Sequence, residues 1–242
     1  MNATINGAQP AAISAANDEY RPTAAATIQM APAIRPTTGD NAINRPKYAA
    51  TPLADAAPDL AALQAAIGAF DHCDLKRGAR NLIFAEGDAA ARVMIIGEAP
   101  ERDEDRAGTV FAVDRRLLLD KMFAAINLGV AHDDVAHRVY LTAAFPWSAG
   151  SMAPKPVDMA TLTPFLERHI ALANPDVLIL IGNTACQMLL GKAGVSWMRG
   201  QWAEVLGRPA MPMVHPAQLM QTPLAKRDAW ADLLAVQDKL RG

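Results

Sequence analysis

The sequence has 242 residues, 51% of them hydrophobic, so it can build one sizeable domain with an extension but not two full domains. Lysine and arginine total 23 against 25 aspartate and glutamate residues, so no overall basic field favours a polyanionic partner and any nucleic-acid contact has to be local. The two cysteines, Cys73 and Cys186, are too few for a disulfide framework or a four-thiolate metal site.

The N-terminal part of the chain has a composition of its own. Residues 1–58 are dominated by alanine, proline, threonine and asparagine, without a sustained apolar period. Such a segment buries too little apolar surface to offset the entropy cost of ordering it. We therefore predict a disordered tail over 1–58 and a folded domain over 59–242. The domain is expected to open with a helix behind Asp59, because four apolar residues recur at helical spacing from Leu60 to Phe70.

Short apolar runs alternate with helical patterns through the rest of the chain. The runs are Val93–Ile96, Val139–Thr142, Val177–Ile181 and Met211–Val214, and the helical patterns between them are Leu117–Ile126, Leu162–Leu172 and Thr184–Leu190. Runs this apolar are typical of parallel strands that are covered on both faces. The sequence thus predicts a three-layer α/β/α fold around a central, mainly parallel four-stranded sheet, with ligands bound beyond the carboxyl ends of the strands.

Two segments that follow predicted strands carry unusual residues. Gly97-Glu98-Ala99-Pro100 follows the first strand, and His215-Pro216-Ala217 follows the last. With other matching segments in the same order between Phe70 and Leu240, these motifs resemble the signatures of family-4 uracil-DNA glycosylases. The resemblance implies a uracil-DNA glycosylase-like fold and a DNA base-excision repair enzyme. Such an enzyme hydrolyses the N-glycosidic bond of a uracil, or other damaged base, that has been flipped out of the DNA.

The resemblance also implies roles for residues at matching positions. Glu98, Glu104 and His215 match catalytic positions, Phe111, Ala99, Pro100 and Ala143 match positions around the base, and Pro216, Leu219, Met220, Lys226 and Arg227 match positions that face DNA. A hydrogen-bond donor such as His215 suits a departing base that gains negative charge, and an aromatic face such as Phe111 suits a pyrimidine.

For several of these residues the sequence leaves a structural interpretation open. Phe111 is also compatible with an ordinary core position, and Glu104 with a solvated acidic loop. Leu219 and Met220 could form an apolar wedge in DNA or pack on the last helix. Lys226 and Arg227 would contact phosphates or line the exposed first turn of that helix.

Several positions depart from the family pattern. Ala143 stands where the family has an asparagine that reads the uracil edge, and Glu101 stands where the family has a glycine close to the substrate. Loss of the amide removes the usual partner of the polar edge of uracil. Arg115, Arg116 and Lys155 could restore part of the positive charge for DNA, or be ordinary surface residues.

Family members usually hold an iron–sulfur cluster with four cysteines. Cys73 matches one of them, whereas Trp147 and Leu162 stand at later cysteine positions and Cys186 lies away from them. Because one thiolate cannot hold the cluster, we expect no metal and no cofactor. We expect Trp147 and Leu162 to fill this region by apolar packing.

Two functional hypotheses follow from these motifs and departures. The first is an active DNA glycosylase, and the second is a catalytically impaired descendant that binds DNA or a repair protein. A nucleotide-processing enzyme is disfavoured because no phosphate-binding glycine-rich loop follows Ile96. The expected partner is single- or double-stranded DNA, and the protein is expected to be a monomer. The lack of a signal peptide and of an apolar run of about 18 residues predicts a cytoplasmic protein without membrane contact.

Overall fold

The computed structural model describes residues 45–150 and 154–241. Its strands are β1 (Ala85–Gly87), β2 (Val93–Gly97), β3 (Val139–Ala143), β4 (Val177–Ile181), β5 (Ala203–Val205) and β6 (Arg208–Met213). Its helices are α1 (Arg45–Ala56), α2 (Leu60–Ala69), α3 (Leu75–Gly78), α4 (Arg102–Ala107), α5 (Val113–Ala124), α6 (Pro156–Ala173), α7 (Asn183–Leu190), α8 (Val195–Met198), α9 (Pro216–Gln221) and α10 (Ala225–Arg241). None of the helices in these ranges is long and apolar enough to cross a membrane.

The strands form one six-stranded sheet in the order β1-β3-β2-β4-β6-β5. The four inner strands are parallel neighbours, and β1 and β5 pair antiparallel at the two edges. The inner strands coincide with the four apolar runs, which confirms the predicted α/β fold with a mainly parallel sheet. The sheet has six strands instead of the predicted four, because the two edge strands were not predicted. Each has three residues, which are too few to reveal an alternating pattern.

Helices cover both faces of the sheet, and the sheet separates the core into two main clusters. On β2, Met94 and Ile96 face the cluster that contains side chains of α1, α2, α6 and α7. Val93 and Ile95 point to the opposite face, where α5 and α10 supply the packing partners. This alternation is the two-residue period of a strand that is buried on both sides. Each residue from Val93 to Ile96 is therefore apolar.

The ordered domain begins earlier than the sequence predicts. Helix α1 lies within the predicted tail, yet Ala50 and Ala54 on its inner face are fully buried against α6. Arg168 of α6 also donates from Nη2 to the carbonyl oxygen of Ala57 at 2.7 Å. Small alanines allow close helix contact but give a weak apolar signal, which explains the difference. Residues 1–44, the rest of the predicted tail, lie outside the described residues.

The predicted helix behind Asp59 is present as α2. The Asp59 carboxylate accepts a hydrogen bond from the amide of Ala62 at 2.8 Å and so caps the helix. Leu63 and Ile67 are buried on its inner face. The spacing of apolar residues therefore identified both the start and the buried side of this helix.

Candidate functional site

A cleft of about 590 Å³ opens beyond the carboxyl ends of β2 and β4. Residues 98–103, which follow β2, form one wall, and Asn183 and Thr184 at the start of α7 form another. Among the described residues, Ala149, Gly150 and Pro154 also line it. This is the edge of an open α/β sheet where ligands are expected to bind.

Glu98 is held by the first turn of α7. Its Oε1 atom accepts hydrogen bonds from the amides of Asn183 at 2.7 Å and Thr184 at 3.2 Å. The carboxylate therefore lies where the helix dipole favours negative charge. Gly182 makes the approach possible: its φ is 92°, and a Cβ there would lie 2.4 Å from the carboxyl carbon of Glu98. Glu98 is thus fixed in orientation while it lines the cleft.

His215 follows β6 and caps α9. Its Nδ1 accepts a hydrogen bond from the amide of Ala217 at 3.3 Å, which places the proton of a neutral ring on Nε2. Burial lowers the pKa of His215 below its ordinary value of 6.5, although the negative charge of Glu98 acts in the opposite direction. The result is a neutral imidazole that has an Nε2–H donor at neutral pH.

Phe111 lies beside His215, with ring centroids 5.7 Å apart and planes inclined by 33°. A Cβ on Gly97 would lie 2.9 Å from Cζ of Phe111, so the ring packs over the end of β2 because no side chain is present there. Glu98, Phe111 and His215 therefore converge, as the two motifs predict. Phe111 is only 2% exposed, however, and it shares a core cluster with Ala143. Neither of them lines the cleft, whereas Ala99 and Pro100 do.

Glu104 does not face the cleft, contrary to its predicted catalytic position. Its buried carboxylate accepts hydrogen bonds from the amides of Glu101 at 3.1 Å and Ala112 at 3.0 Å, and from Nη1 of Arg115 at 2.7 Å. Because Glu104 is buried, the interpretation as a solvated acidic loop is wrong. Glu104 joins the start of α4 to the segment that carries Phe111, so it positions that segment.

Arg115 and Arg116 form ion pairs within the protein. Arg115 also contacts Glu101 at 2.9 Å, which neutralises the bulky anion at the family's glycine position. Arg116 contacts Glu86 at 2.5 Å and Asp120 at 2.9 Å. These ion pairs engage both guanidinium groups within the protein and argue against the alternative that they supply charge for DNA.

The segment after His215 divides into a buried and an exposed part. Leu219 is 0% exposed and packs with Val214 and Ala229, so its assignment as a DNA-facing residue is wrong. The neighbouring Met220 is exposed, because adjacent helical residues point about 100° apart. Leu224, between α9 and α10, is 88% exposed next to the exposed Lys226 and Arg227. The sequence pattern alone did not distinguish Leu224 from a core leucine.

The region around Cys73 is apolar. Cys73, Trp147 and Leu162 are all buried in the same core cluster, as expected for apolar packing there. Burial raises the pKa of the Cys73 thiol, which disfavours the thiolate that a metal needs. Cys186, the second cysteine of the chain, is buried near Glu98. These residues do not fit an iron–sulfur cluster, and the described ranges contain no group of three or more histidine, cysteine or acidic residues arranged to hold a metal ion.

The sheet, the cleft and the convergence of Glu98 and His215 define an α/β protein whose candidate site lies at the carboxyl edge of its parallel strands. The chain belongs to the uracil DNA glycosylase superfamily, whose family model matches residues 84–234. The motifs place it near the family-4 members of that superfamily.

The relatives support this placement. The type-4 uracil-DNA glycosylase of Thermotoga maritima is 27% identical over 152 residues, which cover 62% of this chain and 77% of the relative. The type-4 uracil-DNA glycosylase of Archaeoglobus fulgidus is 27% identical over 66% of this chain and 82% of its own length. That of Pyrobaculum aerophilum is 28% identical over 72% and 91%.

Proposed function

We propose that this protein is a DNA glycosylase of base-excision repair that hydrolyses the N-glycosidic bond of a flipped uracil or another altered base. The observation that carries the proposal is the convergence of Glu98 and a neutral His215 at the edge of the sheet beside an open cleft. The three relatives described above are named type-4 uracil-DNA glycosylases, which supports DNA as the substrate.

His215 is proposed to stabilise the departing base. As the bond between the sugar and the base breaks, negative charge accumulates on the base oxygens. An Nε2–H donor in a partly buried site stabilises that charge more strongly than water does. The hydrogen bond from Ala217 to Nδ1 holds the ring in this tautomer, so the donor is in place before the reaction begins.

Glu98 is proposed to act on the sugar and on the attacking water. Its carboxylate stabilises the positive charge that develops on the sugar, and it orients a water molecule towards the anomeric carbon. The water oxygen bonds to that carbon as the carbon–nitrogen bond breaks, and the water proton passes to the carboxylate. The two amides at the start of α7 prevent the carboxylate from swinging away.

The proposed base pocket is less selective than a pocket that has an asparagine side chain at the position of Ala143. Ala99 and Pro100 line the cleft, whereas Phe111 and Ala143 are buried in a core cluster and do not line it. A base must displace part of this packing to reach the ring of Phe111. Because Ala143 cannot read the polar edge of uracil, we infer discrimination that is weaker by orders of magnitude and a broader range of altered bases.

The proposed DNA contacts lie on the segment from Pro216 to Arg227. Lys226 and Arg227 are exposed at the start of α10 and would contact phosphates. Met220 and Leu224 present apolar side chains beside them and replace Leu219 as candidates for the space left by a flipped base. Pro216 is buried and supports the turn that carries His215.

The alternative is a catalytically impaired descendant that binds DNA or a repair protein. The burial of Phe111 and the methyl group at Ala143 favour it, because neither offers a uracil ring a ready partner. In this case the fold and the exposed basic segment would be kept without turnover.

An excision assay distinguishes the two functions. Labelled single- and double-stranded oligonucleotides with one uracil, hypoxanthine or xanthine are incubated with the protein and then treated with alkali, which cleaves abasic sites. We expect cleavage by the wild type, loss of cleavage in His215→Ala and full activity in His137→Ala, which changes a histidine on the surface before β3. Salt-sensitive DNA binding without any cleavage would favour the impaired descendant.

A further inference from the structure

Trp197 is an aromatic side chain with almost no packing in the described part of the chain. It lies on the short helix α8 and is 86% exposed, whereas Val195 in the same helix is buried. The helix therefore packs through one side and presents the indole to solvent on the other. Tryptophan is a residue type enriched where proteins bind partners.

Both ends of α8 are fixed. Oδ1 of Asn183 accepts hydrogen bonds from the amides of Gly194 at 2.9 Å and Val195 at 2.8 Å. At the other end, Nε of Arg199 contacts Oδ2 of Asp232 at 2.9 Å, and Asp232 is only 1% exposed. The indole is consequently displayed on a rigid support, which lowers the entropy cost of using it for binding.

The same support connects Trp197 to the cleft. Asn183 lines the cleft, and its backbone N–H donates a hydrogen bond to Glu98. Its side-chain oxygen accepts a hydrogen bond from the amide of Gly194 at the start of α8. Cδ1 of Trp197 lies 3.5 Å from the position that a Cβ on Gly194 would occupy. Asn183 thus joins the wall of the cleft to the start of the helix that carries the indole. Lys192, in the loop before α8, is exposed and adds a positive charge to this part of the surface.

We propose that Trp197 is a stacking platform for an unpaired base of single-stranded DNA that lies next to the base held in the cleft. This inference rests on the proposed function, because it takes the cleft as the site of the flipped base. An indole face stacks on any nucleobase, and each such contact contributes substantially to single-strand binding. In a duplex the base faces are already stacked on their neighbours. Trp197 therefore favours single-stranded over double-stranded substrates.

The test measures binding separately from excision. The probe is an oligothymidylate of about 15 nucleotides, which contains no uracil and spans a typical single-strand site. We expect it to quench the intrinsic fluorescence of the wild type. We expect Trp197→Ala to lose that part of the quenching and to bind about 5- to 100-fold more weakly. Trp197→Phe should keep most of the affinity, because a phenyl ring still stacks. Trp230→Phe, which changes another exposed tryptophan, should retain both quenching and affinity.

Unchanged binding of the oligothymidylate by Trp197→Ala would overturn the proposal. Concentration-dependent self-association that Trp197→Ala abolishes, with no DNA effect, would assign the indole to protein contacts instead and would also overturn it. The uracil excision assay is independent of these outcomes. If the wild type excises uracil but Trp197→Ala binds oligothymidylate normally, the proposed function stands and this inference fails. If binding depends on Trp197 but no uracil is excised, this inference stands and the proposed function fails. Thermal unfolding of each variant checks that the fold is intact.

Discussion

Replacement of Glu98 separates its structural contact from its chemistry. Glu98→Ala leaves the first two amides of α7 without their side-chain acceptor, and loss of such a cap costs about 0.5–2 kcal/mol of unfolding free energy. Glu98→Gln keeps a carbonyl oxygen at the same position. It loses only the attraction between the charge and the helix dipole, about 0.3–1 kcal/mol. Because Glu98→Ala loses both contributions, urea unfolding at neutral pH should rank it as less stable than Glu98→Gln.

Activity should not follow that ranking. Both variants lack the anion, so single-turnover excision should fall in both by a similar factor, on the order of 100 or more. Glu98→Gln should also lower the pKa of His215 further, because Glu98 raises it. Glu204→Gln, which removes an exposed carboxylate on β5, serves as the control and should behave as the wild type. Wild-type excision by Glu98→Gln would refute the chemical role and leave Glu98 as a helix cap.

Three further predictions concern packing and charge. Burial lowers the pKa of His169 to about 4, so stability present above pH 6.5 should be lost as the pH falls towards 4. The expected loss in the free energy of unfolding is roughly 3 kcal/mol. The urea midpoints at neutral and acidic pH should therefore differ less in His169→Gln than in the wild type. Asp232→Asn should destabilise by about 3 kcal/mol in thermal unfolding, because it leaves the Arg199 charge without its buried partner, whereas Asp228→Asn should change little. Leu219→Ala should cost about 2–5 kcal/mol, whereas Leu224→Ala should leave stability unchanged and weaken DNA binding in an anisotropy titration. The reverse ranking of these two leucines would contradict the assigned orientations.

The fold was largely readable from the sequence because its strongest signals are buried strands. Apolar runs such as Val177–Ile181 can be satisfied only where helices cover both faces of a sheet. Helix α1 was not predicted, because its inner face is built from alanines, whose small side chains give no clear hydrophobic periodicity. The edge strand β1 was missed because its three residues are too few to show an alternating pattern.

The site was predictable in part. The motifs correctly brought together the ends of β2 and β6, so Glu98, Phe111 and His215 converge. The role of Glu104 depends on Ala112 and Arg115, which reach it only after the chain has folded back. The exposure of Trp197 likewise depends on the tertiary contacts that hold α8, and no local pattern encodes it.

The most direct test of the account is the pH dependence of single-turnover excision by the wild type. In the proposed mechanism, a neutral His215 donates from Nε2 to the departing base. Since burial lowers the pKa of His215, the excision rate should stay constant from alkaline pH down to 6.5 and fall only below that value. A rate that rises as the pH falls through 6.5, or no excised base at any pH, would contradict the claim.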